Sequence, residues 1–253
     1  MGIAFLFVLF TALYGYWQNN RIEVEQIDVK ITDLPRGLAG FRIAHISDTH
    51  IPRNVSTRKN IIALLREQNP DLIVLTGDIL NKRSRIDTEL AGIFCRDLCA
   101  VAPAYAVSGN HEAGLRLNWK RVLQHAGVTV LDDRMEIFGQ DNAALAILGL
   151  RDGREYKEGL FGNLDSAKGL PRLLLAHRPE LFYSYRSNSN TIKPDLVFCG
   201  HAHGGQFRIP LLNLGIFAPH QGLFPRFTSG VYSAGGSKWL SAGVLETVFS
   251  RCA

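Results

Sequence analysis

Short apolar runs alternate with helical patterns along most of the chain. Residues 22–33 alternate apolar and polar positions as a half-exposed strand does, and continuous apolar runs follow at 43–46, 72–75, 104–107, 172–176 and 195–199. Apolar residues recur at helical spacing from about Thr57 to Gln68, from Asp87 to Cys99 and from Asn118 to Ala126. This alternation predicts an α/β fold in which helices cover a parallel, buried sheet.

Two later stretches have a different pattern. Residues 128–150 contain short apolar segments separated by turns, which predict hairpins. From about residue 204 the chain is rich in Gly and Pro and predicts loops with short strands. Because no linker, repeat or low-complexity segment interrupts the chain, we expect a single domain over residues 21–253.

The N-terminal segment is different again, because Gly2–Trp17 carries no charge and ends in a cluster of aromatic residues. A membrane-spanning helix needs ~20 apolar residues, with ~17 as the lower limit, so this run is marginal. We predict that residues 1–20 form a membrane anchor, the alternative being a buried helix. The basic residues that follow the run weakly favour a cytoplasmic domain, and the sequence leaves the face of the membrane open.

Composition excludes several classes of protein. The chain has 253 residues, of which 46% are hydrophobic and 20% charged, so it is not disordered. Four cysteines in 253 residues are too few for a disulfide scaffold, and the lack of a CxxC pair argues against a thiolate zinc site. Lys and Arg number 28 against 23 Asp and Glu without a basic block, which favours an anionic substrate or surface over nucleic acid. Nothing indicates a protein partner.

Polar clusters follow five of the apolar runs, where the strands are expected to end. They are SDTH at 47–50, TGD at 76–78, SGNHE at 108–112, His177, and GHAH at 200–203. Each cluster alone is ordinary turn or loop chemistry, except for GHAH, whose rings fall on one side of an extended segment. Because strands of an open α/β sheet present their carboxyl ends at one edge, we expect five of the eight histidines to meet two aspartates and an asparagine. Such a cluster needs a cation.

The chemistry of these residues indicates two metal ions. Asp, His and Asn without thiolate suit Mn²⁺, Fe or Zn²⁺. Seven ligands are too many for one catalytic ion with an open position, but they suit two ions that share a carboxylate. Such a pair clamps the attacking and leaving oxygens of an in-line displacement, so the sequence predicts phosphoester hydrolysis.

The five motifs in this order resemble the calcineurin-like metallophosphoesterase superfamily over about residues 40–210. HISDTH at 45–50 and GHAHGGQ at 200–206 are similar to the membrane-associated or exported bacterial phosphohydrolases of the YkuE and YaeI type. The resemblance implies an αββα sandwich of two mixed β-sheets flanked by helices. It also implies one ion held by Asp48, His50 and His203, another by Asn110, His177 and His201, and Asp78 as the bridge between them.

The resemblance implies an activity as well. A metal-activated hydroxide would cleave phosphomonoester or phosphodiester bonds of a small or lipid-linked substrate, with Asp78 and His111 as catalytic residues. His111 matches the position that assists the phosphoryl oxygen or the leaving group. Two alternatives remain: a membrane-associated pyrophosphatase of a lipid precursor such as UDP-2,3-diacylglucosamine, and a non-catalytic scaffold. The scaffold is disfavoured because every expected ligand type is present.

Some features lie outside the shared pattern. The N-terminus has no twin-arginine signal, so export is not implied, and we expect an abbreviated C-terminal edge after Ser233–Gly243. Arg208 is a candidate phosphate contact. His45 is expected to pack within the first apolar run and His125 to lie near the end of a helix. His220 is expected to be a solvated loop residue, the alternative being a contact with the substrate.

Overall fold

A computed structural model describes residues 2, 5–6, 9–10, 22–51, 54–81, 85–115, 118–155, 159–162, 164–187, 193–205, 208–209, 214–234, 237–241 and 246–252. The strands of the first half are β1 (Glu23–Val29), β2 (Arg42–Ile46), β3 (Leu72–Leu75), β4 (Ala104–Ala106), β5 (Thr129–Val130), β6 (Arg134–Phe138) and β7 (Leu145–Gly149). Those of the second half are β8 (Arg172–Leu175), β9 (Leu196–Cys199), β10 (Arg208–Ile209), β11 (Leu214–Gly215), β12 (Phe217–Ala218), β13 (Gly222–Leu223), β14 (Gly230–Ala234), β15 (Ser237–Ser241) and β16 (Glu246–Cys252). The helices are α1 (Val55–Gln68), α2 (Arg85–Cys99), α3 (Asn110–Ala113), α4 (Trp119–His125) and α5 (Phe182–Ser187).

Twelve of these strands form two mixed sheets. The first sheet has the order β1-β16-β2-β3-β4-β5, and β2 to β5 run parallel within it. The second has the order β14-β15-β9-β8-β7-β6, with β15, β9, β8 and β7 parallel and a hairpin at each edge. Both sheets therefore contain the parallel strands that the apolar runs predicted.

Three apolar layers hold the sheets and helices together. Alternate residues of each strand face opposite layers, so Ile43 points toward the second sheet while Ala44 packs under the helices. The helix layer includes Leu65 of α1 and Phe94 of α2. Beyond the second sheet, Phe182 of α5 packs in a third layer. The result is the expected αββα sandwich.

The helices begin and end close to their predicted positions. In α1 the Asn54 side chain caps the first turn by accepting a hydrogen bond from the backbone N–H of Ser56 at 2.8 Å. Asn69 ends that helix in the left-handed conformation, at φ 47°. Gly127 takes the same region after α4, at φ 99°, as its position in the sequence predicted.

One expectation about strand pairing was wrong in part. Within residues 128–150, β6 and β7 form the expected kind of hairpin, but β5 pairs in parallel with β4. After the Gly-rich stretch the chain forms β16, which lies between β1 and β2. An antiparallel neighbour on one side and a parallel one on the other satisfy its backbone on both edges.

Most of the anchor predicted for residues 1–20 lies outside the described residues. The five that are described there have helical conformation, and the apolar side chains among them are 44–67% exposed. Within the described ranges, no helix combines the length and the apolar character that a bilayer span requires.

Candidate metal centre

Two neighbouring loops of the first sheet carry the two aspartates of the predicted site. Beyond the ends of β2 and β3 the loops continue to pair, because the backbone N–H of Asp48 donates to Gly77 O at 3.1 Å and that of His50 to Asp78 O at 3.0 Å. Asp48, His50 and Asp78 have φ angles of 51°, 45° and 51°. Side-chain-bearing residues rarely adopt this left-handed region, and such strain is concentrated at functional sites.

Asp48 is held by one carboxylate oxygen and leaves the other for a cation. The side chain is completely buried, and Oδ2 accepts hydrogen bonds from Ser47 Oγ at 2.6 Å and from the backbone N–H of His201 at 2.8 Å. Oδ1 accepts no hydrogen bond from the part of the chain that is described, and it lies 3.5 Å from His203 Nε2. A buried, unsatisfied carboxylate oxygen is costly unless a cation neutralises it.

Asp78 is arranged in the same way. Oδ1 accepts a hydrogen bond from the backbone N–H of His111 at 2.8 Å, and Oδ2 lies 3.6 Å from His177 Nε2 and 3.9 Å from His111 Nε2. Burial alone would raise the pKa of the Asp78 carboxyl, but the hydrogen bond and charge of His177 and the contacts with His111 hold that pKa below its usual range. Asp78 is therefore an ionised carboxylate.

The second group of candidate ligands surrounds His177. Its Nδ1 lies 2.7 Å from Thr76 O, and because a carbonyl only accepts, this nitrogen carries the proton. Nε2 lies 3.1 Å from Asn110 Oδ1 and 3.0 Å from His201 Nδ1, and it is the ring nitrogen left to bind a cation. A backbone carbonyl that fixes the tautomer of a histidine is typical of metal-binding imidazoles.

The negative charges of Asp48 and Asp78 favour positive charge within the site. Burial alone lowers the pKa of His177, but Asp78 and Asp48 raise it to about 9. Burial and the neighbouring His177 lower the pKa of His201 to about 3, so its ring is neutral and able to coordinate. The carboxylates that favour a proton on one ring favour a metal ion in its place.

Two groups of possible ligands share Asp78. One atom each of Asp48, His50, Asp78 and His203 lie within 4.8 Å of one another, and so do one atom each of Asp78, His177 and His201. Asn110 joins the second group through its contact with His177. The structure thus brings together all seven predicted ligand positions, and their oxygen and nitrogen donors fit two divalent ions.

His111 stands beside these groups and belongs to neither. Its backbone is bound to Asp78 and its ring packs edge-to-face against His50, with centroids 4.6 Å apart. The side chain is 28% exposed, so the ring lies at the mouth of the site. Arg208 lies in β10, but its side chain is outside the described residues and the predicted phosphate contact stays a prediction.

Glycine backbones allow the loops to approach each other closely. A Cβ at Gly200 would overlap Ser47 Oγ and Asp48 Oδ2, and one at Gly109 would overlap Asp78 Oδ1. At both points the absence of a side chain lets a carboxylate reach the backbone of the next loop. Steric crowding therefore explains why glycine occupies these two positions of the predicted motifs.

The role of Glu112 was not predicted from the sequence. This buried side chain accepts backbone hydrogen bonds from Asp78 at 2.8 Å, Leu80 at 2.7 Å and Gly109 at 2.9 Å. Burial and the charge of Asp78 raise its pKa to about 7. Its position three residues after Gly109, as in a capping box, was the available signal. Glu112 therefore joins the loop that follows β3 to the loop that follows β4.

His220 is exposed, as expected, but also contacts the site. Its Nδ1 lies 2.8 Å from Nε2 of His201, and the two rings stack with centroids 5.0 Å apart. Nothing in the local sequence indicates this contact, because His220 follows His201 by a long irregular segment. His45, by contrast, is buried and bonded to Thr76 as expected, and His125 lies in the last turn of α4.

Comparison with known proteins agrees with this geometry. The calcineurin-like phosphoesterase family matches residues 41–205, which include all seven candidate ligands. Phosphodiesterase YaeI of Escherichia coli K12 is 32% identical over 203 residues, covering 78% of this chain and 72% of its own length. The uncharacterized metallophosphoesterase YkuE of Bacillus subtilis 168 is 28% identical over 236 residues, covering 88% of this chain and 79% of its own.

The fold is shared with solved structures of much lower identity. The crystal structure of TT1561 from Thermus thermophilus superposes with a TM-score of 0.52 at 15% identity, covering 81% of this chain and 90% of that one. The family match extends over more than half of the chain and contains every motif described above. The chain is therefore a phosphoester hydrolase that belongs to the calcineurin-like phosphoesterase family.

Proposed function

We propose that this protein is a dinuclear, divalent-metal-dependent hydrolase of phosphomonoesters or phosphodiesters. The observation that carries the proposal is the presence of the Asp78 carboxylate in both groups of ligands. Two ions held here supply positive charge to the phosphoryl oxygens and lower the pKa of water, which is the chemistry that hydrolysis at phosphorus needs. Mn²⁺, Fe and Zn²⁺ all suit the donor set.

Each candidate ligand has a defined part in the proposal. One ion would be held by Asp48, His50 and His203, and the other by Asn110, His177 and His201. Asp78 would be shared by both. Backbone and side-chain hydrogen bonds fix the second oxygen of each aspartate, so both carboxylates are oriented before an ion arrives.

His111 contributes to the reaction from the mouth of the site. Asp78 holds its backbone, and packing against His50 restricts its ring, so its position depends on the metal-binding loops. A partly exposed imidazole beside the candidate ligands can donate a proton to the leaving oxygen or stabilise charge on a phosphoryl oxygen. A non-catalytic scaffold would have no use for this arrangement.

A lipid-linked substrate is the second candidate, including pyrophosphates such as UDP-2,3-diacylglucosamine. It is favoured by the β12–β13 hairpin, which carries His220 in its turn and exposes Leu223 and Phe224 at 69% and 62%. Apolar side chains exposed near His220, which contacts His201, suit a substrate with an acyl portion. Residues 1–20 would then confine the enzyme and the substrate to the same membrane.

Replacement of the shared carboxylate tests the main proposal. Asp78→Asn is expected to reduce the metal content and to remove nearly all hydrolysis of 4-nitrophenyl phosphate and of its diester in Mn²⁺, because the loss of one charge weakens both sites. Metal content is measured by atomic absorption and activity by nitrophenolate release. Asp97→Asn, at an exposed position of α2, is the matched control. An Asp78→Asn protein with two ions and normal turnover would contradict the dinuclear site.

A further inference from the structure

The β12–β13 hairpin brings a histidine from a distant part of the chain to the candidate metal centre. His220 lies in the turn of this hairpin, and its Nδ1 lies 2.8 Å from Nε2 of His201. The two rings are nearly parallel, at 28°. His201 is thus contacted through both of its ring nitrogens, with His177 on the Nδ1 side and His220 on the Nε2 side.

One arrangement of protons on His177 and His201 satisfies these contacts and leaves both rings able to bind a metal ion. His177 donates its Nδ1 proton to Thr76 O, so its Nε2 is left as a ligand, and His201 would face the same ion with the lone pair of Nδ1. The proton of His201 then lies on Nε2, where it has His220 Nδ1 as an acceptor. Without this acceptor the competing tautomer, with the proton on Nδ1, would block coordination.

We infer that His220 is a positioning residue that fixes the tautomer and ring orientation of His201 for metal binding. The inference rests on the proposed role of His201 as a ligand. It gives the β12–β13 hairpin a direct effect on metal affinity, although the hairpin supplies none of the seven predicted ligands. Residues that bond to the far nitrogen of a metal-binding histidine typically change metal affinity or activity by about 10–100-fold.

The hairpin is held in place independently of His220. The Gln221 side chain donates to Phe227 O at 2.7 Å and accepts from Phe227 N at 2.9 Å. The backbone N–H of Phe224 donates to Ile216 O at 2.8 Å. His220 itself has a φ of 60°, a conformation that glycine and asparagine adopt at little cost. The turn therefore presents the ring to His201 and does not depend on that contact to form.

A competing interpretation of the same residues is a third cation site. One atom each of Glu180, His201 and His220 lie within 4.8 Å of one another. In that arrangement His201 would bind different ions through its two ring nitrogens. The number of ions bound by wild type and by a His220 variant separates the two interpretations.

Two substitutions isolate the function of the ring. His220→Gly removes the imidazole and preserves the positive φ, whereas His220→Asn places an amide oxygen close to the position of Nδ1 and restores the acceptor. His125→Asn is the control, because His125 is bonded only to its own helix through Arg121 O at 2.6 Å among its described contacts. Zn²⁺ binding to the full-length protein is measured by calorimetry, and ¹⁵N NMR of the Zn²⁺-loaded protein reports which nitrogen of His201 carries the proton.

The expected result is that all variants bind two Zn²⁺ ions. In His220→Gly the affinity for one ion falls by about 10–100-fold, and His220→Asn or added imidazole recovers most of the loss. With saturating metal, kcat is reduced and KM changes little. Unchanged Zn²⁺ affinity in His220→Gly would overturn the inference, as would three ions in wild type and two in the variant. Because these readouts do not require turnover, an inactive wild type would contradict the proposed function alone.

Discussion

His111 differs from its neighbours in the site because it lies in neither group of candidate ligands. His111→Ala is therefore expected to leave the metal content close to normal and to slow turnover by ~10²–10⁴-fold, the usual contribution of a general acid. The defect should be smaller for 4-nitrophenyl phosphate than for an alkyl phosphate, since nitrophenolate leaves with little need of a proton. Rates for the two substrates measure this difference. If His111→Ala lost metal, that result would show that His111 is itself a metal ligand.

Glu112 gives a prediction about stability. In Glu112→Gln an amide N–H₂ would face one of the three backbone donors now bound by the carboxylate, which leaves a buried donor unpaired. The variant is expected to be about 2–4 kcal/mol less stable, as measured by urea unfolding. Glu136→Gln, on the exposed side of β6, is the control. Equal urea midpoints of unfolding for the two variants would show that the Glu112 carboxylate does not hold the loops after β3 and β4 together.

The candidate ligands were predictable from the sequence because all of them follow apolar runs directly. A buried parallel strand largely determines where the residue at its carboxyl end lies. The strands therefore bring together the motifs that follow them: D-x-H, G-D, G-N-H-E, His177 and G-H-x-H. His220 has no such strand to place it. Its position depends on a hairpin packed by long-range contacts, which local patterns do not encode. Glu112 was recognised as part of a motif, but its three backbone partners appear only in the folded loops.

At the scale of elements, the β12–β13 hairpin is where the proposal of a lipid-linked substrate can be tested. Leu223→Ser combined with Phe224→Asn is expected to leave hydrolysis of a soluble nitrophenyl ester unchanged and to reduce hydrolysis of a lipid pyrophosphate in vesicles several-fold. Asparagine suits the φ of 52° at Phe224. Ile93→Ser, which changes an exposed apolar residue of α2, is the control. Equal effects on both substrates would remove the support that the hairpin gives to the lipid-linked candidate.

The predicted elements were most accurate where both faces of a strand are buried. β2, β3, β8 and β9 coincide with their apolar runs to within one residue at each end, since continuous burial leaves a continuous signal. β5 was interpreted as part of a hairpin because the two-residue strand is too short to show a pattern that distinguishes parallel from antiparallel pairing. β16 escaped prediction because it follows a Gly-rich stretch and its partners are at the opposite end of the chain.

At the scale of the whole molecule, the N-terminal segment is expected to determine location and not chemistry. A protein lacking residues 1–20 should hydrolyse a small phosphoester at the rate of the full chain, because no candidate ligand precedes Asp48. In vesicle flotation the full chain should remain with the membrane and the shortened chain should not. A full-length protein with an intact N-terminus that is found only in the soluble fraction would contradict the anchor.

The placement of β16 has a consequence for how the protein reaches its native state. This strand lies between β1 and β2, and its register pairs Glu246 with Glu23 and Thr247 with Ile46, so both contacts join residues from opposite ends of the chain. Closing such long loops slows folding, and until it happens β1 and β2 present unpaired edges that other chains can bind. During synthesis the edges of β1 and β2 that pair with β16 therefore stay unpaired until β16 has left the ribosome, and unpaired edges of this kind favour aggregation.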